Sequence, residues 1–103
     1  MNKKSQYQGV SSTISVYISG HLKDYVGSKS NLEMPACQNV TTLIDELSKL
    51  FPGIKDRIFD DQERTRHFVN IFVNGVNIRD ANGENTTLKE GDKVHILPSI
   101  AGG

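Results

Sequence analysis

Cysteine is almost absent from this chain of 103 residues, which contains Cys37 alone. A single cysteine cannot form a disulfide within one chain and cannot supply a cysteine-based zinc site. The three histidines, His21, His67 and His95, are too widely spaced for a compact metal-binding motif, so we expect no metal site. None of them is adjacent to Cys37 in the sequence, which favours a structural or surface thiol over a nucleophile.

Charge of one sign and long apolar runs are also missing. The 12 Lys and Arg residues balance the 12 Asp and Glu residues, and neither sign forms a run typical of a nucleic-acid-binding arm. No stretch approaches the roughly 18 apolar residues of a membrane span, and the start of the chain, MNKKSQYQGVSS, lacks the apolar segment of a secretory signal. We expect a cytoplasmic protein with no nucleic-acid and no membrane partner, in which residues 1–12 form a disordered extension.

The first periodic segment predicts a β-hairpin. Residues 14–18 alternate between apolar and polar, which is typical of a half-buried strand. Residues 20–30 are turn and loop formers, and residues 31–34 can pair back as a second short strand before Pro35 ends it.

A helix is predicted over residues 40–51. Thr41 or Thr42 is the expected N-cap, and the Pro-Gly pair at 52–53 ends the helix. Apolar residues in the segment 54–58 indicate one further helical turn. One apolar stripe of the longer helix consists of Leu43, Ile44, Leu47, Leu50 and Phe51.

The second half of the chain contains the clearest local signal. Residues 68–73 alternate strictly, and the Asn-Gly pair at 74–75 predicts a type I′ turn that returns the chain as a strand at 76–78. A longer connection over 79–88 leads to a last strand, which ends at Pro98. One face of the first of these strands should carry Val69, Ile71 and Val73, and the other Phe68, Asn70 and Phe72.

This element order predicts an α+β domain over residues 13–98. One main helix should pack across one face of a mixed sheet of four to five strands, which is the simplest two-layer solution for these elements. Val94 and Ile96 share the parity of the other apolar positions, so they should face the helix.

An exposed cluster is expected on the opposite face of that sheet. Its members would be Phe72, His95 and Leu97, continuing into Pro98 and Ile100 at the root of the C-terminal tail. Several apolar groups on one face favour a docking surface for a partner protein over an incidental patch.

Gly102 and Gly103 end the sequence on a short tail, residues 99–103, that we expect to be flexible. Glycine has no Cβ, so a Gly-Gly segment can enter a narrow cleft. Extended from Pro98, the tail would span about 17 Å. The carboxylate of Gly103 is then the expected working group, delivered into a partner's active site; the alternative is a frayed end with no role.

Three segments together with the element order resemble the ubiquitin-like sulfur carriers of the β-grasp fold. They are FVNIFVN at 68–74, LKEGDKV at 88–94 and ILPSIAGG at 96–103. The group includes the small subunit of molybdopterin synthase and the thiamine sulfur carrier. FVNIFVN together with ILPSIAGG is most similar to the branch that feeds cysteine or homocysteine synthesis. The molybdopterin subunit usually has an aromatic or a second proline where Leu97 and Ser99 stand, and this departure argues against a molybdenum role.

The resemblance implies a carrier that is not itself an enzyme and binds no cofactor. An E1-like adenylyltransferase would use ATP to adenylate Gly103, and a sulfur donor would displace AMP to leave a thiocarboxylate. The implied acceptor is a pyridoxal-phosphate-dependent cysteine or homocysteine synthase, and a metalloprotease that releases the product is a further implied partner. Alternatives are a molybdopterin synthase subunit, a protein modifier joined to lysine through Gly103, and a β-grasp binding module without terminal chemistry.

Overall fold

The computed structural model describes residues 12–99, and the expected α+β arrangement is confirmed. The strands and helices are β1 Thr13–Ile18, β2 Asn31–Pro35, α1 Val40–Leu50, α2 Ile54–Ile58, β3 Val69–Val73, β4 Val76–Asn77 and β5 Lys93–Pro98. Short 3₁₀ helices occupy Gly20–Val26, Ile78–Asp80 and Gly83–Asn85. Within this described part of the chain, no helix is long and apolar enough to cross a membrane. The expected extension at residues 1–12 lies outside the description except for Ser12.

The five strands form one mixed sheet in the order β2-β1-β5-β3-β4. β1 and β5 pair in parallel at its centre, and the other neighbours are antiparallel. Because residues in register share a face, Val16 lies beside Val94 and Ile18 beside Ile96. All four are buried under the helices, as the alternation predicts for Val94 and Ile96.

Helix α1 packs its buried residues into the core, but its N-cap is not a threonine. Oδ1 of Asn39 accepts the backbone N–H of Thr42 at 2.9 Å and its hydroxyl at the same distance. The helix begins at Val40, so Thr41 and Thr42 fall inside its first turn, where they cannot act as N-cap. The predicted cap was therefore wrong by two or three residues.

The predicted apolar stripe of α1 is wrong at Leu50 and right elsewhere, since Phe51, at the C-cap, is partly buried and packs against the core. Leu43, Ile44 and Leu47 are fully buried, whereas Leu50 is 52% exposed. The helix ends at Leu50 and the chain then turns back into α2. Ile54 and Ile58 of α2 are both fully buried members of the core. The predicted further helical turn is confirmed.

The segment expected to be plain loop, 20–30, instead begins with a 3₁₀ helix that buries Leu22 and Val26. It ends at Gly27, whose φ of 69° is left-handed. The sequence signal for this helix is weak, because it consists of only two apolar residues, Leu22 and Val26, four positions apart among turn-forming residues. Tertiary burial of those two side chains decided the structure here.

The predicted Asn-Gly hairpin is confirmed, because Asn74 and Gly75 have φ of 51° and 87°. The Asn74 side chain also ties the turn to the next strand. Its amide nitrogen donates to Oδ1 of Asp92 at 2.9 Å, and its oxygen accepts the N–H of Lys93 at 2.9 Å. The turn thus holds the start of β5 as well as joining β3 to β4.

The end of β5 packs against the start of the first 3₁₀ helix. Gly20 has φ of 66°, and a Cβ built on it would lie 2.8 Å from Cγ and 3.1 Å from Cδ of the Pro98 ring. A glycine is therefore required twice over at this position, by its backbone conformation and by the space that Pro98 occupies.

Gly20→Ala is expected to lower the free energy of unfolding by about 2 to 4 kcal/mol, since a left-handed penalty and a clash add together. Gly27→Ala is the matched control, because its φ is nearly the same and nothing lies within 4 Å of its Cβ position. It should lose only about 1 to 2 kcal/mol. Urea denaturation measures both, and equal losses would show that Pro98 does not constrain Gly20.

Glu84 joins the segment between β4 and β5 to Thr65, in the segment before β3, and to Thr41 of α1. Its carboxylate accepts the Thr65 N–H at 2.6 Å and the Thr65 hydroxyl at 2.8 Å, while its carbonyl accepts the Thr41 hydroxyl at 3.2 Å. Desolvation raises the pKa of Glu84. The hydrogen bonds to its carboxylate, led by those from Thr65, and the charge of Arg64 together outweigh this effect, so the net pKa is lowered. The folded protein therefore favours the ionised carboxylate.

Glu84→Gln should reduce stability at neutral pH by about 1 kcal/mol after allowance for solvent screening. A lowered folded pKa stabilises above the unfolded value of about 4.3, and that stabilisation is lost as pH falls through the folded pKa. The difference between wild type and variant should therefore shrink in acid. Asp61→Asn, an exposed carboxylate in the nearby loop, is the control in urea denaturation from pH 7 to pH 3. A difference independent of pH would contradict the assignment.

Candidate functional site

The sheet face opposite the helices carries a row of rings across its three central strands. Tyr17 is in register with His95, and His95 with Phe72. The Tyr17 and His95 rings stack with centroids 4.6 Å apart and planes 13° from parallel. Leu97 follows His95 at the next outward position of β5 and is in register with Asn70. We call Tyr17, Phe72, His95 and Leu97 the outer face.

Three of the predicted docking residues, Phe72, His95 and Leu97, thus lie together on two neighbouring strands. His95 is exposed, and Phe72 and Leu97 are partly exposed. Tyr17 was missed by sequence reasoning. The alternation of residues 14–18 placed it on this face, but only the parallel pairing of β1 with β5 brings it beside His95.

The expected continuation of the cluster into Pro98 needs correction. Pro98 is in register with the fully buried Val69, so it belongs to the helix side of the sheet, where its ring meets Gly20. The physical reason is strand parity, since Pro98 follows Leu97 and must point the opposite way. Ile100, Gly102 and Gly103 lie outside the described residues.

The root of the tail is tied to β3. The Ser99 N–H donates to the Phe68 carbonyl at 2.6 Å, and Nδ2 of Asn70 donates to Oγ of Ser99 at 2.7 Å. Phe68 is 45% exposed and meets the His67 ring edge-on, with centroids 5.7 Å apart. The pairing of β5 with β3 therefore continues to Ser99 and sets the point from which the remaining residues depart.

Cys37 has the environment of a structural thiol. It is partly buried, and its Sγ donates to the Asn39 carbonyl at 3.8 Å. Burial raises the pKa of Cys37, and the negative charge of Glu46 raises that pKa further. Both effects disfavour the thiolate at neutral pH, which is the nucleophilic form.

The remaining candidates for a site within residues 12–99 are metal-binding side chains and surface depressions. No cluster of three or more His, Cys, Asp or Glu side chains there could hold a metal ion. A shallow polar depression is lined by Asp60, Asp61, Gln62 and Arg66. Its Asp60 carboxylate already accepts the N–H groups of Gln62 and Arg64 at 2.8 Å and 3.1 Å, and these backbone hydrogen bonds lower the pKa of Asp60. The Asp60 carboxylate therefore stabilises its own loop, and we assign this depression no binding role.

Comparison with known proteins gives consistent results. The sequence model of the ThiS family matches residues 16–103. Sulfur carrier protein CysO of Mycobacterium tuberculosis is 30% identical over 92 residues, which are 87% of this chain and 98% of that protein.

Solved structures share the fold. A chain of the BexX/CysO complex of Amycolatopsis orientalis superposes with a TM-score of 0.78 at 31% identity, covering 87% of this chain and 99% of that one. Small archaeal modifier protein 1 of Methanosarcina acetivorans gives 0.75 at 28% identity, covering 89% and 97%.

Proposed function

Because this chain belongs to the ThiS family, we propose that it is a sulfur carrier whose Gly103 carboxylate is activated and converted to a thiocarboxylate. The observation that carries the proposal is the extent of the similarity. The family match runs through Gly103, and the relative named as a sulfur carrier is matched over 98% of its length. The likeness therefore includes the Gly-Gly end and is not limited to the β-grasp domain.

The chemistry needs little from the carrier's own side chains. A Gly103 carboxylate oxygen attacks the α-phosphorus of ATP, pyrophosphate leaves, and an acyl-adenylate forms. Hydrosulfide then attacks the acyl carbon, AMP departs, and loss of the S–H proton leaves the thiocarboxylate. An E1-like adenylyltransferase would supply the stabilisation of charge in both steps. The carrier contributes a tail without Cβ groups, and it tethers the sulfur so that its local concentration at the acceptor is high.

We propose cysteine or homocysteine synthesis as the destination of the sulfur. The CysO name of the relatives and the segment ILPSIAGG support this assignment. The acceptor would then be a pyridoxal-phosphate-dependent synthase, which joins the sulfur to an amino-acid carbon skeleton. A metalloprotease would release the finished amino acid from Gly103.

A second candidate is a protein modifier. The similarity to a small archaeal modifier protein at 28% identity favours it. The same acyl-adenylate would then form an isopeptide bond with a lysine of a target protein. The two functions share activation and differ in the nucleophile that follows, so the products distinguish them.

Incubation with the E1-like enzyme of the same genome, ATP and sulfide should add the mass of one sulfur-for-oxygen replacement at Gly103, measured by intact-protein mass spectrometry. Deletion of Gly103 should abolish the mass shift and change Tm by less than about 2 °C, since a terminal glycine buries little surface. Larger conjugates in place of the shift would favour the modifier. No activated terminus with any such enzyme would leave the binding-module alternative.

The outer face is the proposed docking surface for the E1-like enzyme. Phe72→Ala and Leu97→Asp should each raise the KM for the carrier about tenfold, because truncating an anchor residue costs about 1 to 3 kcal/mol of binding. Leu50→Ala is the control, since Leu50 is an exposed apolar residue that lies on α1, away from the outer face. ATP–pyrophosphate exchange measures the KM, and Tm verifies folding. Wild-type KM values in both folded variants would refute this docking surface.

A further inference from the structure

Arg79 is an exposed arginine that is held in place. It lies in the 3₁₀ helix Ile78–Asp80, directly after β4. Its Nη1 donates to Oδ1 of Asn70 at 2.8 Å and its Nη2 to the Arg66 carbonyl at 3.0 Å. Its backbone N–H donates to Oδ1 of Asn77 at 2.9 Å. Two anchors on a planar group set its orientation, and the remaining guanidinium donors stay available to a partner.

The same asparagine joins this guanidinium to the tail root. While Oδ1 of Asn70 accepts from Arg79, its Nδ2 donates to Oγ of Ser99 at 2.7 Å. Asn70 is in register with Leu97 and therefore points to the outer face. Arg79 is thus placed beside Leu97 and beside the point where the tail departs.

The charge of Arg79 is not compensated within the part of the chain that the structure describes. Both acceptors of its guanidinium are neutral oxygens, and the ion pairs found there use Lys49 and Lys55. Hydrogen bonds to neutral acceptors restrict the rotamers of Arg79 but leave its positive charge unpaired. The side-chain conformational entropy is therefore lost on folding and not on binding, which favours the binding of an anion by Arg79.

We propose that Arg79 is a binding residue that pairs with a carboxylate of the partner protein at the rim of the channel that receives the Gly-Gly tail. The inference rests on the proposed function. A guanidinium fork matches a carboxylate with two parallel hydrogen bonds. The outer face would then present apolar groups with a fixed cation at the corner nearest the tail.

The position of Arg79 favours a carboxylate of the partner protein over the phosphates of ATP as its binding partner. A chain of this length, if bound fully extended from Ser99 to Gly103, would span about 13 Å, with the reacting carboxyl at its far end. Arg79 is bound to Asn70, which is itself bound to Ser99. Arg79 therefore meets the entrance of the channel, whereas the ATP must lie at its end.

The test is ATP–pyrophosphate exchange by the E1-like enzyme, with the carrier titrated at several NaCl concentrations. Arg79→Ala should raise the KM for the carrier about tenfold at low salt with kcat unchanged, and flatten the rise of KM with salt. Arg79→Lys keeps the charge but loses the fork, so its KM should be intermediate. Arg57→Ala is the matched control, because Arg57 is an arginine on α2 rather than beside the outer face. Its Cζ lies over the Tyr25 ring, 5.2 Å from the ring centroid.

Asn70→Asp tests whether the charge of Arg79, rather than its position, is needed for binding. The new carboxylate would keep the contact with Arg79 and neutralise it. It cannot donate to Ser99 as Nδ2 of Asn70 does, but it can accept the Ser99 hydroxyl instead, so the fold should be about as stable as wild type while KM rises as in Arg79→Ala. A merely structural role for Arg79 predicts no rise in KM from this variant.

The outcomes divide cleanly. Raised KM with lost salt dependence in Arg79→Ala and Asn70→Asp, and wild-type behaviour in Arg57→Ala, supports the inference. Wild-type KM in Arg79→Ala, with adenylation proceeding, overturns it and leaves the proposed function intact. A fall in kcat at unchanged KM overturns it as well, because Arg79 would then act at the nucleotide. If the wild-type protein is never adenylated, the proposed function and this inference fall together.

Discussion

The parallel pairing of β1 with β5 is the contact on which the rest of the structure depends. Within residues 12–99 it joins the first strand to the last, and it buries Val16, Ile18, Val94 and Ile96 at the centre of the core. A parallel pair needs a crossover between its strands, and every helix found in those residues lies between β1 and β5. The contact therefore determines both which face of the sheet the helices cover and which face remains open.

Alternation along β5 lets one strand serve two purposes. Its inward residues hold the core, while its outward residues, His95 and Leu97, complete the outer face. At the end of the strand, Pro98 packs on Gly20 from one side and Ser99 binds β3 from the other. These contacts hold the chain up to the start of the tail, so the orientation of the outer face and the point of departure of the tail are linked.

A carrier of this kind divides the chemistry between itself and its partners. The side chains of residues 12–99 include no convergent metal cluster, and the Cys37 thiol is disfavoured as a nucleophile by its raised pKa. What the described residues offer is a surface for recognition, formed by rings, Leu97 and the positioned cation of Arg79. Specificity would therefore reside in the sheet and reactivity in the last glycines.

Local patterns in the sequence were sufficient for the elements whose cause is local. Strict alternation and the Asn-Gly pair predicted the hairpin at Asn74, and helical spacing predicted the buried Leu43, Ile44 and Leu47. Gly102 and Gly103, with the segments around them, indicated the family. These signals need only periodicity or backbone conformation, which neighbouring residues determine.

The tertiary structure alone decided what depends on distant contacts. The 3₁₀ helix at Gly20–Val26 buries Leu22 and Val26 in the core. Leu50 is exposed although it shares the helical spacing of the buried residues of α1. Tyr17 meets His95 only through strand pairing, and Asn70 links Arg79 to Ser99 across separate connections. Periodicity in one segment predicts which side a residue faces, but the partner on that side is set by chain segments far away in sequence.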